Sequence, residues 1–157
     1  MSDARNLRIA TQIATVLGVG RSPAAPGTAG SVVALPFAWI IAMAGGRFAL
    51  MLAAILVLGV GAWACELYAR ENGREDPSEC VIDEVAGQWI ICAFAPLSIL
   101  AYFIAFILFR LFDILKPWPI KYFERTVPGG LGIMVDDVIA ALMGSVILVV
   151  LGHLGVF

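Results

Sequence analysis

The chain reads as an all-α, polytopic helical membrane protein, a single compact bundle with short or re-entrant helices. Three observations lead there. Of its 157 residues 61% are hydrophobic and only 14% charged, and mean hydropathy is +0.95, more apolar surface than a soluble core of this size can hide. The apolar residues are gathered into long runs, with Gly and Pro between them. No disulfide framework or zinc-ligand spacing suggests another architecture: of three cysteines, Cys65 and Cys92 lie inside apolar runs, where a thiol acts as a small hydrophobe. Residues 1–157 are therefore taken as one membrane-embedded domain. The net charge of −2, with basic residues placed singly rather than in stripes, excludes nucleic acid as a partner.

Leu7, Ala10, Ile13/Ala14 and Leu17 recur at helical spacing beside Arg5 and Arg8, which predicts a helix lying in the membrane interface. Thr11, Gln12 and Thr15 interrupt that stretch and Pro26 crowds the Ala24-Ala25 position where a signal peptide would be cleaved, so the segment is expected to be retained. A Gly/Pro-rich loop, 18–30, follows. Next come apolar runs 31–44 and 48–64, joined by Gly45-Gly46-Arg47 as a tight helical hairpin. A polar loop is expected over 66–83, an apolar run around Pro96 over 85–109, a second polar connection over 110–137, and a final apolar run over 138–157.

The run around Pro96 decides the topology. A single crossing would put Asp83-Glu84 and Asp136-Asp137 on opposite faces and divide the ten Lys and Arg residues five against five. Doubling back at Pro96 gathers nine of them on one face, leaving Arg47 alone on the other, as the positive-inside rule favours. Two arms of that length reach only part-way through a bilayer core of about 30 Å. All acidic motifs then share the cytoplasmic face of a multi-pass membrane protein.

Those acids carry the chemistry. A carboxylate costs about 2.5–3.5 kcal/mol at the bilayer centre and less toward its surface, yet paired acids stand at the mouths of two apolar runs: Asp83-Glu84 and Asp136-Asp137. Like charges so close call for a divalent cation, and oxygen donors select Mg²⁺, Mn²⁺ or Ca²⁺. Each pair also has a plainer reading, as a helix N-cap with its dipole partner. Arg110, Asp113 and Lys116, spaced three apart, share a helix face that Pro117 and Pro119 terminate. They form either a surface ion-pair ladder or an acid for metal flanked by two cations for phosphate. In the loop entering the first apolar run, Thr28 and Ser31 are candidates to hold phosphate oxygens or to cap a helix. Trp118 suits an interfacial anchor and His153, without a partner acid nearby, a structural role.

Taken in order, Pro26-Gly-Thr-Ala-Gly-Ser31, Asp76-Pro77 with Val81-Ile-Asp-Glu-Val85, Arg110-Leu-Phe-Asp-Ile-Leu-Lys-Pro-Trp-Pro-Ile120 and Gly129-Gly-Leu-Gly-Ile-Met-Val-Asp-Asp-Val138 resemble the phosphatidylglycerophosphatase A family. Cys80, where an aliphatic residue is usual, and Ala141, where glycine is frequent, depart from its pattern without touching a proposed ligand. The resemblance implies a Mg²⁺-dependent integral membrane phosphatase acting on a phospholipid, phosphatidylglycerophosphate, and yielding phosphatidylglycerol. It also implies that Asp83, Glu84, Asp113, Asp136 and Asp137 are both the metal ligands and the catalytic set. From the residues themselves, Arg110 and Lys116 are expected to neutralise a phosphomonoester dianion, with a metal-activated water beside a carboxylate base as the preferred nucleophile and an aspartyl-phosphate intermediate as the alternative. Two other classes fit less well. A divalent-cation transporter would bury acids mid-run, and a non-catalytic membrane assembly subunit would not need cations clustered with acids.

Overall fold

The computed structural model describes residues 2–157 and is helical, with no strand among the described residues. Helix α1 (Ser2–Ala14) and a 3-10 turn (Val19–Arg21) precede α2 (Pro26–Asn72), α3 (Ile82–Ala93), α4 (Ile99–Leu115), α5 (Ile120–Thr126) and α6 (Gly129–His153). Ala10 and Ala14 bury one side of α1, but the helix stops at Ala14. Leu17, expected on the same face, lies beyond it at positive φ and is exposed.

The expected hairpin is α2 itself, broken only at Gly46, whose φ of 72° and ψ of −175° suit a residue without a side chain. Gly30 in the first arm packs on Val81 and Gly61 in the second on Ile82, so the arms return beside one another. At 1.5 Å per residue the arms, 26–45 and 47–72, span about 30 and 39 Å, enough to cross a bilayer core. The second arm continues to Asn72, so the polar loop begins seven residues later than the hydropathy pattern suggests. Ala25 caps the helix N-terminus in a left-handed conformation (φ 48°, ψ 61°), with Pro26 at the first helical position. Neither Thr28 nor Ser31 is the cap.

The run around Pro96 turns back. Glu84 near the start of α3 lies 3.8 Å from Arg110 near the end of α4, and Gly87 packs against Phe109. The two helices are therefore antiparallel, joined through residues 94–98. At about 18 and 26 Å both fall short of a bilayer core. Two further boundaries move. Helix α4 runs on to Leu115 and so absorbs Arg110 and Asp113, and α6 begins at Gly129, placing Asp136 and Asp137 two turns inside it instead of at its mouth. Val81 caps α3, leaving Asp83 within the first turn. Neither acidic pair supplies a helix cap.

Packing explains why these ends meet. Leu50, Ile91, Phe109 and Leu148 form one buried cluster, and Ala14, Cys65, Val85 and Met134 another. Small residues let the helices approach closely, with Gly61 against Met134 and Gly144 against Ile91. Trp89 Nε1 donates to the Ala34 carbonyl at 2.9 Å, tying α3 to the first arm of α2. Glu66 accepts the Gly130 N–H at 2.5 Å, joining the second arm to α6 and satisfying one of that helix's unpaired donors. Phe37, Phe48, Leu52, Leu56, Phe103 and Val146 point outward without cover. Since α2 and α6 are also long and apolar enough to span, that surface belongs against lipid tails.

Candidate metal and phosphate site

The centre of the site is built where α3 meets α6. Gly87 lets the two backbones approach, since a β-carbon there would lie 3.2 Å from the Asp137 carbonyl oxygen and press on the Phe109 ring. That approach brings Asp83 and Glu84 to Asp137: one carboxylate oxygen from each lies within 4.8 Å of the other two. Asp83 is 8% and Asp137 3% exposed. Among the described residues, Glu84 Oε2 and Asp137 Oδ2 are buried without a hydrogen-bond partner. Three hard oxygen donors, close together and with free lone pairs, fit a divalent cation such as Mg²⁺ or Mn²⁺.

Around this group stand the cations that the spacing of α4 anticipates. The Arg110 guanidinium is largely buried, 2.5 Å from Asp113 and 3.8 Å from Glu84, and its Nε has no hydrogen-bond partner among the described residues. Lys116, the residue that ends α4, donates to Asp136 Oδ2 at 2.6 Å and to Glu124 Oε1 at 2.6 Å. Burial pulls the Lys116 pKa down, but the hydrogen bonds and charges of Asp136 and Glu124 outweigh it, so the ammonium titrates above its ordinary value. Of the five acids proposed from the sequence, three thus form the compact group. Asp113 and Asp136 stand at its edge, each held by a cation.

The phosphate-loop residues divide. Ser31 is buried and its hydroxyl donates to the Gly27 carbonyl at 3.1 Å, while Thr28 is partly exposed in the first turn of α2. The residue of that loop that meets the acids is Gly27, where a β-carbon would run into the Glu84 carboxylate and stand 3.1 Å from Arg110 Nη2. Trp118 is 81% exposed, as an interfacial anchor would be. His153 lies at the far end of α6, its Nδ1 2.8 Å from the Val149 carbonyl.

Beside the acids opens a cleft of about 860 Å³, bordered by Asp136, Asp76, Glu124, Arg125, Arg70 and Arg74. Burial raises the Asp76 pKa above its ordinary range, and the Lys116 charge only partly opposes this. Three participants thus escaped the sequence reading. Asp76 sits in a motif already singled out, yet nothing local distinguishes it from a turn aspartate before proline. Gly27 looks like any helix-entry glycine. Glu124 is eight residues from Lys116 across a break made by two prolines, a pairing that no spacing rule reveals.

The sequence profile of the family described as Phosphatidylglycerophosphatase A matches residues 12–152. A protein of Escherichia coli strain K12 named Phosphatidylglycerophosphatase A is 37% identical over 142 residues, covering 90% of this chain and 82% of the relative. One of the same name from Haemophilus influenzae is 37% identical over 137 residues, covering 86% and 83%. A Bacteroides thetaiotaomicron protein, named as a candidate phosphatidylinositol-3-phosphatase, is 39% identical over 146 residues, covering 88% and 90%. No solved structure matches the chain.

Proposed function

The chain belongs to the phosphatidylglycerophosphatase A family, and from that membership we propose that it is a Mg²⁺-dependent lipid phosphatase. Its reaction is hydrolysis of the terminal phosphomonoester of phosphatidylglycerophosphate to phosphatidylglycerol and inorganic phosphate. It works in the bacterial inner membrane, with its site on the cytoplasmic face. The observation that carries the reading is the group of three carboxylates within 4.8 Å, two of them almost fully buried, beside a buried arginine. Such crowding destabilises a fold unless the acids serve a cation.

Asp83, Glu84 and Asp137 would hold the ion, with Asp113 and Asp136, each paired with a cation, beside them. When bound, it neutralises charge on the phosphoryl oxygens. Arg110 binds the phosphate through the donors that its carboxylate partners leave free, a forked geometry matched to two oxygens. Lys116, with three donors of which two are engaged, offers the third. Thr28 is the loop hydroxyl available to a phosphate oxygen, whereas Ser31 would have to leave the Gly27 carbonyl to take part. As the water oxygen bonds to phosphorus, a carboxylate of the site accepts its proton, and the ester bond to glycerol breaks with a proton passing to the departing oxygen.

The deciding experiment is phosphate release by purified protein in detergent, where no compartment exists for transport to be read. Phosphatidylglycerophosphate should be turned over in Mg²⁺, with EDTA abolishing turnover and excess Mg²⁺ restoring it. Phosphatidylinositol 3-phosphate is the comparison substrate suggested by the Bacteroides relative's name. Absence of phosphate release from any lipid phosphomonoester, in a folded preparation, would leave transport or assembly as the role.

A further inference from the structure

Lys116 is held in a way that its proposed role does not by itself require. It is a non-glycine residue at φ 42°, ψ 55°, the left-handed region that side chains disfavour. That backbone turn ends α4 and carries the side chain to two acceptors from two other helices, Glu124 of α5 and Asp136 of α6, each at 2.6 Å. The side chain of Lys116 is 25% exposed and that of Glu124 38%. An ion pair so exposed adds little to stability, so the Glu124 contact is better explained by what it does to the ammonium.

We infer that Glu124 is a positioning residue for the reaction, fixing the Lys116 ammonium so that its free N–H is aimed at the substrate phosphate. The inference rests on the phosphatase reading above. An ammonium has three donors at tetrahedral angles. With a single acceptor it can spin and swing about the one bond. With two acceptors held by two separate helices, the head is pinned and the direction of the third donor is determined. Orientation of this kind favours the reaction even where ground-state attraction is unchanged. Charge alone predicts the opposite sign: Glu124 repels a phosphate dianion, so removing it should tighten substrate binding. The two accounts therefore separate in the kinetics.

The chain has two lysines, Lys116 and Lys121, and Lys121 is exposed, so it serves as an internal reference. Trace acetylation of the detergent-solubilised protein, without substrate, should label Lys116 much less than Lys121. In Glu124→Ala the Lys116 to Lys121 ratio should rise several-fold. In Glu124→Gln, which keeps one acceptor oxygen, the rise should be intermediate. With phosphatidylglycerophosphate in Mg²⁺, Glu124→Ala should lower kcat by roughly tenfold, the scale of one charged hydrogen bond. KM should be equal or lower, and Glu124→Gln should recover part of the loss. In a Lys116→Ala background Glu124→Ala should have no further effect on kcat. The inference is overturned by an unchanged labelling ratio, by a kcat within about twofold of wild type, or by a full loss that persists without Lys116. Failure of the phosphatase reading looks different: wild type itself releases no phosphate, whatever the labelling shows.

Discussion

Replacing Asp137 by Asn should stabilise the metal-free protein while abolishing its response to metal. Carboxylate oxygens of Asp83, Glu84 and Asp137 lie within 4.8 Å of each other; at an effective dielectric of about 20, each ionised pair repels by at least about 3.5 kcal/mol. Arg110 offsets part of this at 3.8 Å from Glu84, but it is shared with Asp113. The cost is also capped, because the group can take up a proton, which at pH 7 costs an ordinary aspartate about 4 kcal/mol. Asn keeps the shape and removes the charge, and since Asp137 Oδ2 has no hydrogen-bond partner among the described residues there is little to lose. In EDTA the variant should therefore gain up to about 4 kcal/mol, or a Tm rise of roughly 8–16 °C for a chain of this size. Adding Mg²⁺ at about a hundred times its Kd should stabilise wild type by about 2.7 kcal/mol and the variant far less. The assay is thermal unfolding in detergent, with and without EDTA, alongside phosphate release. A variant that melts at or below wild type in EDTA, or that gains as much from Mg²⁺, would refute the idea that these carboxylates crowd one another around a cation site.

Four further outcomes follow from the same geometry. Arg110→Ala should cost about 3–5 kcal/mol by leaving buried acids unpaired, and Arg110→Lys, which keeps a charge near Glu84 and Asp113 but lacks the guanidinium fork for two phosphate oxygens, should leave kcat/KM at least tenfold down; full activity in the lysine variant would reduce Arg110 to a generic charge. Gly87→Ala should destabilise by about 1–3 kcal/mol and depress kcat together, because its methyl forces α3 from Phe109 and Asp137; unchanged activity would show that the approach of α3 to α6 does not build the site. Asp76→Asn should melt above wild type at pH 7. The raised pKa makes ionisation in the fold a cost, absent below the ordinary value of 3.8 and complete above the folded one, so the gap should close as pH falls toward 3.8; a variant less stable at pH 7 contradicts this. Reporters placed near Arg125 and after Phe157 should lie in opposite compartments, Arg125 cytoplasmic; an external Arg125 reporter with a cytoplasmic one near Glu75 would break up the common site.

Composition and the order of the motifs were enough to determine a helical membrane protein, the hairpin turning within Gly45-Gly46-Arg47, the reversal near Pro96 and the family. Each depends on local or summed properties: apolar run length, turn chemistry and charge asymmetry. Helix ends were less legible, because hydropathy stops where polar residues begin while a helix does not. Thus α2 carries Glu66 and Arg70, α4 carries Arg110 and Asp113, and α6 starts nine residues before the apolar stretch at Val138. Those extensions are what bring the acids off the helix tips and into contact. The division of the five acids into a group of three and two held by cations belongs to tertiary structure alone. It depends on how closely Gly87 lets α3 approach α6, and on the left-handed turn at Lys116 that carries an ammonium to Asp136 and Glu124. Residue spacing along one helix predicts which side chains share a face. Which side chains from different helices meet is decided by interhelical packing, through contacts between residues tens of positions apart in the chain.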